Sequence, residues 1–520
     1  MKSNASDLLE LWQRVYEDAC QTCTAEVSDL RDLVTVRSRV KDEGLSFLTI
    51  ALPQFAKDFE RSLASGRVDS SSFQNFRKNK AIPAFLQGML SQIFDRETGG
   101  LVNDSSDSSV LVEAVRQVCL LFKKVELPCT PAREKKAIQN FVDVEHALRE
   151  FSAPVETHAQ FRAVSSVLWD NLLLGSILPD MLVPRHGPGA TAEGISGNQK
   201  YRWRRWHERL EQVTPFLGSA YPIGAALESE HQEVAFVSET EEQPVRVVTV
   251  PKTLKAPRII AVEPVCMQYA QQALRARLYD AIESHWLTAG HVLFRDQSVN
   301  QWMALNSSAT GLSVTIDLSD ASDRVPLSMV EEMLSGVPEI LESILACRST
   351  RAELPDGRVL TLRKFASMGS ALCFPIEAMY FYTVVVVALL GFHRLPATPR
   401  NCHKVSRGVY VYGDDIIVPK YAAEAVLGCL QQYNCKVNDS KTFLDGKFRE
   451  SCGVDAYNGY EVTPTYIRST CPKNRQQASE LLSWIATANA FYLKGYWRSA
   501  AFMFSRCERI LGDLPYVSPD

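Results

Sequence analysis

The stretch VYVYGDDIIVPK, Val409 to Lys420, sets two adjacent carboxylates, Asp414 and Asp415, between two short apolar runs. Val, Tyr and Ile suit a pleated, half-buried surface, and a Gly-Asp step between two such runs signals a two-residue hairpin. Gly413 then takes the central position that tolerates positive φ, and the acids sit at the hairpin tip. Gly-Asp steps are common turn residues, so the pair alone supports a turn and nothing further.

A third acid changes the weight of the first two. In GLSVTIDLSDASDRVP, Gly311 to Pro326, Leu312, Val314, Ile316 and Leu318 alternate with Ser313, Thr315 and Asp317. That alternation predicts a strand with one buried face and Asp317 near its end on the opposite face. Pro326 suits the start of the helix PLSMVEEML. Next comes FASMGSALCFPIEAMYF, a small-residue loop around Gly369 leading into the apolar run AMYFYTVVVVALLGF, Ala378 to Phe392. This run is shorter than the roughly 20 residues that cross a bilayer, so it predicts a buried core helix and no membrane. The order is strand, helix, helix, hairpin, with carboxylates at two strand ends. Such acids repel unless a cation lies among them, and hard divalent ions prefer oxygen ligands of this kind. Two ions about 4 Å apart support in-line displacement at phosphorus, the chemistry of nucleotide transfer and of some nucleases.

The bulk of the chain frames these motifs. Its 520 residues predict roughly three or four domain-sized units. With 46% hydrophobic and 22% charged residues the chain reads as an ordinary soluble globular protein, and disorder is a poor explanation for any long part of it. A net charge of -4 gives no global attraction to nucleic acid, so basic residues must be segregated if RNA or DNA is bound. Two clusters meet that condition: KYRWRRWHER, Lys200 to Arg209, which reads equally as a solvated face, and PKTLKAPR, Pro251 to Arg258. From Val234, the runs VAFV, PVRVVTVPK and RIIAVEP predict an antiparallel unit exposing Arg246, Lys252, Lys255 and Arg258, which reads either as cations suited to a triphosphate or as a solvated edge strand. HGPGAT, His186 to Thr191, reads as a tight loop approached closely by a backbone or phosphate, or as a plain surface turn. Thirteen scattered cysteines and a first segment without a signal-type apolar core point to a reducing compartment, and the lone pair Cys20 and Cys23 is assigned no metal. The first 150 or so residues read as helical, with Leu8, Leu11, Trp12 and Val15 on one face after a Ser6 cap, and Ser479 to Leu511 as a helical, aromatic-rich end.

IDLSDASD, SMGS and YGDD, in this order, resemble motifs A, B and C of viral RNA-dependent RNA polymerases. TVPKTLKAPRIIAVEP, FRDQSVNQ, KTFLDGKFRESCG and GYEVTPTYIR narrow the resemblance to the levivirus-type replicase catalytic subunit, over roughly Arg185 to Arg468. The resemblance implies an α+β right-hand fold with an antiparallel-sheet palm. Residues 1–185 would be a helical N-terminal region and part of the fingers, 186–304 fingers with the basic strands, 305–465 palm, and 466–520 a helical thumb. It implies template-directed RNA synthesis from ribonucleoside triphosphates, in the cytoplasm of a bacterial host, with two Mg²⁺ ions for which Mn²⁺ can substitute.

Matched residue by residue, Asp317 and Asp414 become the principal metal ligands, with Asp415 beside them. Asp323 becomes the group that recognises the ribose, since a carboxylate accepts a hydrogen bond from a 2′-hydroxyl; a helix N-cap is its alternative reading. Ser367 and Gly369 match the motif B loop. The helix after it lacks the asparagine many viral polymerases use, which leaves sugar discrimination to Ser367 and Asp323. Lys252, Lys255 and Arg258 match the triphosphate-holding motif F. Lys441 is the candidate proton donor to pyrophosphate, with Lys436 and Lys447 nearby, and Phe448 to Gly453 resembles the hairpin that braces the growing strand. Asp320 receives no role. The partners implied are RNA template and product, ribonucleoside triphosphates, host elongation factors Tu and Ts, and a ribosomal protein. A reverse transcriptase usually places a bulky side chain in motif A, where this chain has Asp323 and small residues; a noncatalytic RNA-binding protein would have no need of three intact motifs.

Overall fold

The computed structural model describes residues 2–23, 27–102, 107–175, 182–220 and 234–516. Near the N-terminus, Leu8, Leu11, Trp12 and Val15 line one side of helix α1 (Lys2–Thr22) and are all buried. The helix already runs from Lys2, so Ser6 lies inside it and is not the cap expected from sequence. The buried face of α1 joins a core that also takes in the C-terminal helices Ala478–Leu493 and Trp497–Leu511, so the first and last helical segments share one apolar interior. Helix α2 (Pro131–Glu150) starts with Pro131 in its first turn, where the missing N–H costs nothing. Its Phe141 and Val142 face a second, small core.

The run VAFV does not join the basic strands. Strand β1 (Arg205–His207) pairs in parallel with β2 (Ala235–Val237), because Phe236 packs on Phe216, which in turn packs on Trp206. The basic unit itself is as expected: β3 (Val245–Val250) and β4 (Arg258–Val262) are antiparallel, with Val250 opposite Arg258. Val245 and Val247 point into the core with Phe141, leaving Arg246 and Arg258 exposed. Helix α3 (Val265–Ser284) follows, then α4 (Ser298–Thr310).

Strand β5 (Ser313–Ile316) is buried on both faces, whereas alternation predicted one. Val314 and Ile316 enter the largest core; on the other side Thr315 Oγ1 accepts from Glu450 N at 3.4 Å and Ser313 O accepts from Arg449 Nε at 3.0 Å. A second layer thus covers the polar side, and Leu312, expected inside, is outside the strand and exposed. Strands β6 (Arg351–Glu353) and β7 (Val359–Thr361) extend the basic sheet in the order β7-β6-β3-β4.

Helix α5 (Cys373–His393) has 21 residues, longer than the apolar run suggested and long enough to span a bilayer. Its burial settles its role: from Pro375 to Leu390 every residue is enclosed by protein. The polar tips it carries are satisfied, Tyr380 Oη by Tyr433 O at 2.7 Å and Tyr382 Oη by Leu287 O at 2.9 Å. Against it lies a three-stranded antiparallel sheet ordered β8 (Tyr410–Tyr412), β9 (Asp415–Pro419), β5. The hairpin β10 (Phe448–Ser451) and β11 (Val454–Tyr457) supplies the covering layer together with α4. The architecture is α+β, with antiparallel strands at its centre and helices around them.

Candidate active site

The hairpin read from VYVYGDDIIVPK is present, with Tyr412 opposite Asp415 and the turn at Gly413-Asp414. Gly413 has φ +59°, and a Cβ there would lie 2.2 Å from a ring carbon of Phe374, so the turn is pressed against α5. On the neighbouring pair the ladder ends at Ile416 opposite Ile316. Continued by one residue, this register sets Asp415 across from Asp317, with Asp414 next to them in the turn. Register alone therefore gathers all three aspartates.

Their charges register on one another. Burial raises the Asp317 pKa, with Lys441 opposing and Glu450 reinforcing the shift. Asp414 is raised by burial and then by Asp317. Asp415 is pushed up to about 7 by burial, then by Asp414, Glu450 and Asp317. The donors are all oxygen and mutually repelling, which is the chemistry that fits a hard divalent cation. They are not closed into a coordination sphere: among the described residues no group of three or more His, Cys, Asp or Glu is arranged to hold a metal. Instead Asp317 is held on both oxygens, Oδ1 by Lys441 Nζ at 3.3 Å and Oδ2 by Asn438 Nδ2 at 2.6 Å. Lys441 also reaches Glu450 Oε1 at 3.0 Å; burial acts to lower its pKa, but Glu450 and Asp317 outweigh that and raise it. Of the three candidate lysines, then, Lys441 stands against an aspartate of the cluster, while Lys436 is exposed on the short strand Lys436–Val437.

The residues expected on the sugar side also meet. Asp323 lies within a short 3-10 turn, Ser322–Arg324, so it is not a helix cap. Its Oδ1 accepts from Ser367 Oγ at 2.7 Å and from Lys364 Nζ at 3.1 Å. Gly369, at φ +135°, lies against β4: a Cβ there would be 2.0 Å from Ala261 O, and Ala261 N donates to Met368 O at 2.9 Å. Asp320 is exposed and accepts from Asn140 Nδ2 at 3.3 Å.

The basic residues divide. Lys252 feels both Asp414 and Asp317, although burial, then Arg258 and Lys441, bring its pKa down overall. Arg258 opens β4 beside it; Lys255 is exposed in the connecting loop, and its charge, like that of Lys441, is felt by Lys57. In the other basic cluster, Trp203 and Trp206 are core residues, and Lys200 is buried with its ammonium on the carbonyls of Gly187 and Gly189. HGPGAT is accordingly a loop clamped by protein. Arg202, Arg204 and Arg205 remain exposed and line a cavity of about 480 Å³ with Glu193 and Gln243.

Four residues of the site escaped sequence reading: Asn438, Glu450, Lys364 and Glu377. Glu377 had a visible signal, a lone acid entering an apolar helix; burial, then Asp414 and Asp323, raise its pKa well above the carboxylate range. The other three lie in polar segments that look solvated until the fold closes over them.

Residues 212–479 match the family model described as RNA replicase, beta-chain. The RNA-directed RNA polymerase subunit beta of Qbeta virus (strain MX1) is 31% identical over 301 residues, 57% of this chain and 47% of that protein. The corresponding subunit of Escherichia virus Qbeta is 36% identical over 225 residues, 43% of this chain and 35% of that one. The RNA-directed RNA polymerase beta chain of Escherichia phage MS2 is 34% identical over 222 residues, with shares of 43% and 37%. The chain spans about half the length of these curated relatives, or less. Among solved structures, the RNA-dependent RNA polymerase from bacteriophage phi12 aligns with a TM-score of 0.40 at 12% identity, over 89% of this chain and 78% of that one. The family match contains every site residue from Lys252 to Glu450, and the chain belongs to the RNA replicase β-chain family.

Proposed function

We propose that this chain is the catalytic subunit of an RNA bacteriophage RNA-dependent RNA polymerase, extending RNA on an RNA template. The observation that carries the reading is the convergence of Asp317, Asp414 and Asp415 at adjoining strand ends, with Lys252 facing them electrostatically. In this reading residues 186–304 are fingers, 305–465 palm and 466–520 thumb, with 1–185 an N-terminal region that contributes to the fingers. Two divalent cations, Mg²⁺ foremost, would be held by Asp317, Asp414 and Asp415 and would supply charge neutralisation and an activated hydroxyl.

The nascent 3′-hydroxyl forms a bond to the α-phosphorus and the bond to pyrophosphate breaks. Lys252, Lys255 and Arg258 hold the triphosphate and the departing charge. Lys441, already protonated between Asp317 and Glu450, gives its proton to pyrophosphate. Asp323 and Ser367 read the ribose hydroxyl, and Gly369 lets their loop lie against β4. The hairpin from Phe448 to Gly453 braces the growing strand. The site of action is the host cytoplasm, with elongation factors Tu and Ts and a ribosomal protein as partners; the levivirus resemblance supports that set, and capture of none of them from a bacterial lysate would remove it.

The test is extension of an RNA primer on an RNA template by purified protein, with and without a chelator. Incorporation should require the divalent ion, and Asp414→Asn should abolish it while leaving the melting temperature and RNA binding near the parent. Extension by Asp414→Asn at the parent rate, or a preference for deoxyribonucleotides, would overturn the reading.

A further inference from the structure

Lys364 is a charged side chain with 0% exposure, an expensive placement unless its partners are fixed. Its ammonium lies 3.1 Å from Asp323 Oδ1, 3.4 Å from Glu145 Oε1 and 3.6 Å from the centroid of the Phe141 ring. Glu145 and Phe141 both belong to α2, outside the family match and in a region where no catalytic motif was legible. Glu145 is itself anchored, its Oε2 accepting from Arg363 N at 2.7 Å. The backbone of Lys364 is held from the far side, its carbonyl accepting from Arg348 Nη2 at 2.7 Å.

The consequence falls on Asp323. Lys364 and Ser367 both donate to Oδ1, so that oxygen is fixed and saturated, while Oδ2 has no partner among the described residues. A carboxylate held by one oxygen presents the other as an acceptor of defined direction, which suits recognition of a hydroxyl. The N-terminal end of α2 reaches the loop between Lys252 and Lys255: Arg133 Nη1 donates to Leu254 O at 2.7 Å, and Cys129 Sγ, just before the helix, donates to Thr253 O at 3.2 Å.

We propose that Lys364 and Glu145 are positioning residues that set the free oxygen of Asp323 for the 2′-hydroxyl, so that α2 governs sugar selectivity from outside the polymerase motifs. This rests on the polymerase reading above. A merely structural pair would weaken the fold and slow both classes of nucleotide alike; a positioning pair lowers the ratio of kcat/KM for ribonucleotides over 2′-deoxyribonucleotides.

The full chain is assayed with both nucleotide classes as wild type, Asp323→Ala, Lys364→Met and the double variant Lys364→Met/Glu145→Gln, each with a melting curve. The double variant removes both buried charges together and so guards against a Lys364→Met protein that fails to fold. The ratio should fall about tenfold in the folded Lys364 variants, through the ribonucleotide alone, as expected for loss of one directed hydrogen bond to a charged group. A wild-type ratio in the folded double variant, with a lowered ratio in Asp323→Ala, overturns the proposal and leaves the polymerase reading standing. A wild-type ratio in Asp323→Ala overturns the sugar-reading role and this proposal with it, and absence of incorporation by the wild type overturns the polymerase reading itself.

Discussion

Gly369→Ala is the substitution whose outcome the geometry constrains most tightly. At φ +135° an alanine is strained, and its Cβ would be 2.0 Å from Ala261 O and 2.8 Å from Ala261 C. Both are backbone atoms of β4, which no rotamer change can move aside. Strain at such a φ costs roughly 1–3 kcal/mol and overpacking a further roughly 1–3 kcal/mol. The cheapest relief is for the loop to lift off β4, breaking the 2.9 Å bond from Ala261 N to Met368 O and drawing Ser367 from Asp323. A misplacement of about 1 Å in a positioning group costs on the order of 100-fold in rate, so kcat/KM for extension should fall by about that factor while most of the fold survives. Gly428→Ala is the matched control: Gly428 lies in the helix Ala423–Gln432 with nothing within 4 Å of its would-be Cβ. That change should be neutral or stabilise by about 0.5–1 kcal/mol, with activity intact. Primer extension and thermal melting of both proteins decide the matter, and parental activity in Gly369→Ala would show that the close approach to β4 has no part in the site.

Two further outcomes follow from buried charges. Arg116 bonds Asp455 at 2.6 Å and Glu60 at 3.2 Å with its side chain 3% exposed and its guanidinium over Phe448, so Arg116→Met strands two carboxylates and should cost about 3–5 kcal/mol in denaturant unfolding; an unchanged midpoint would contradict that pairing. His207 is buried, its pKa lowered to about 4 from 6.5 by burial and then by Arg209, Arg205 and Arg351, while Glu242, 3.7 Å away, is engaged by Arg209. The unfolded chain therefore takes up this proton first, so the contribution of His207 is complete above about pH 6.5 and is lost as pH falls toward about 4. His207→Gln should flatten the stability profile in that window, and identical profiles would refute the assignment.

What the sequence disclosed and what it withheld divide along the range of the interactions. The hairpin around Gly413 was legible because pattern, turn and charge all lie within VYVYGDDIIVPK, and Asp317 followed because a period of two marks a strand wherever it pairs. The second face of β5 was not legible: Thr315 and Ser313 look solvent-facing until Glu450 and Arg449 arrive from about 135 residues downstream. VAFV failed similarly, since a three-residue strand carries too little pattern to choose its partner and Phe216 and Trp206 chose for it. The compensation of charge was the least legible part of all. The acids announced themselves, but the cations that answer them come from Lys441, 124 residues beyond Asp317, and Lys364, 41 beyond Asp323. The family resemblance singled out Lys441, but nothing in the sequence set Lys364 apart from a surface lysine; it is distinguished only by the carboxylates folded around it. The net charge of -4 was therefore a poor guide to this site, where aspartates are balanced locally by lysines that composition counts with all the others.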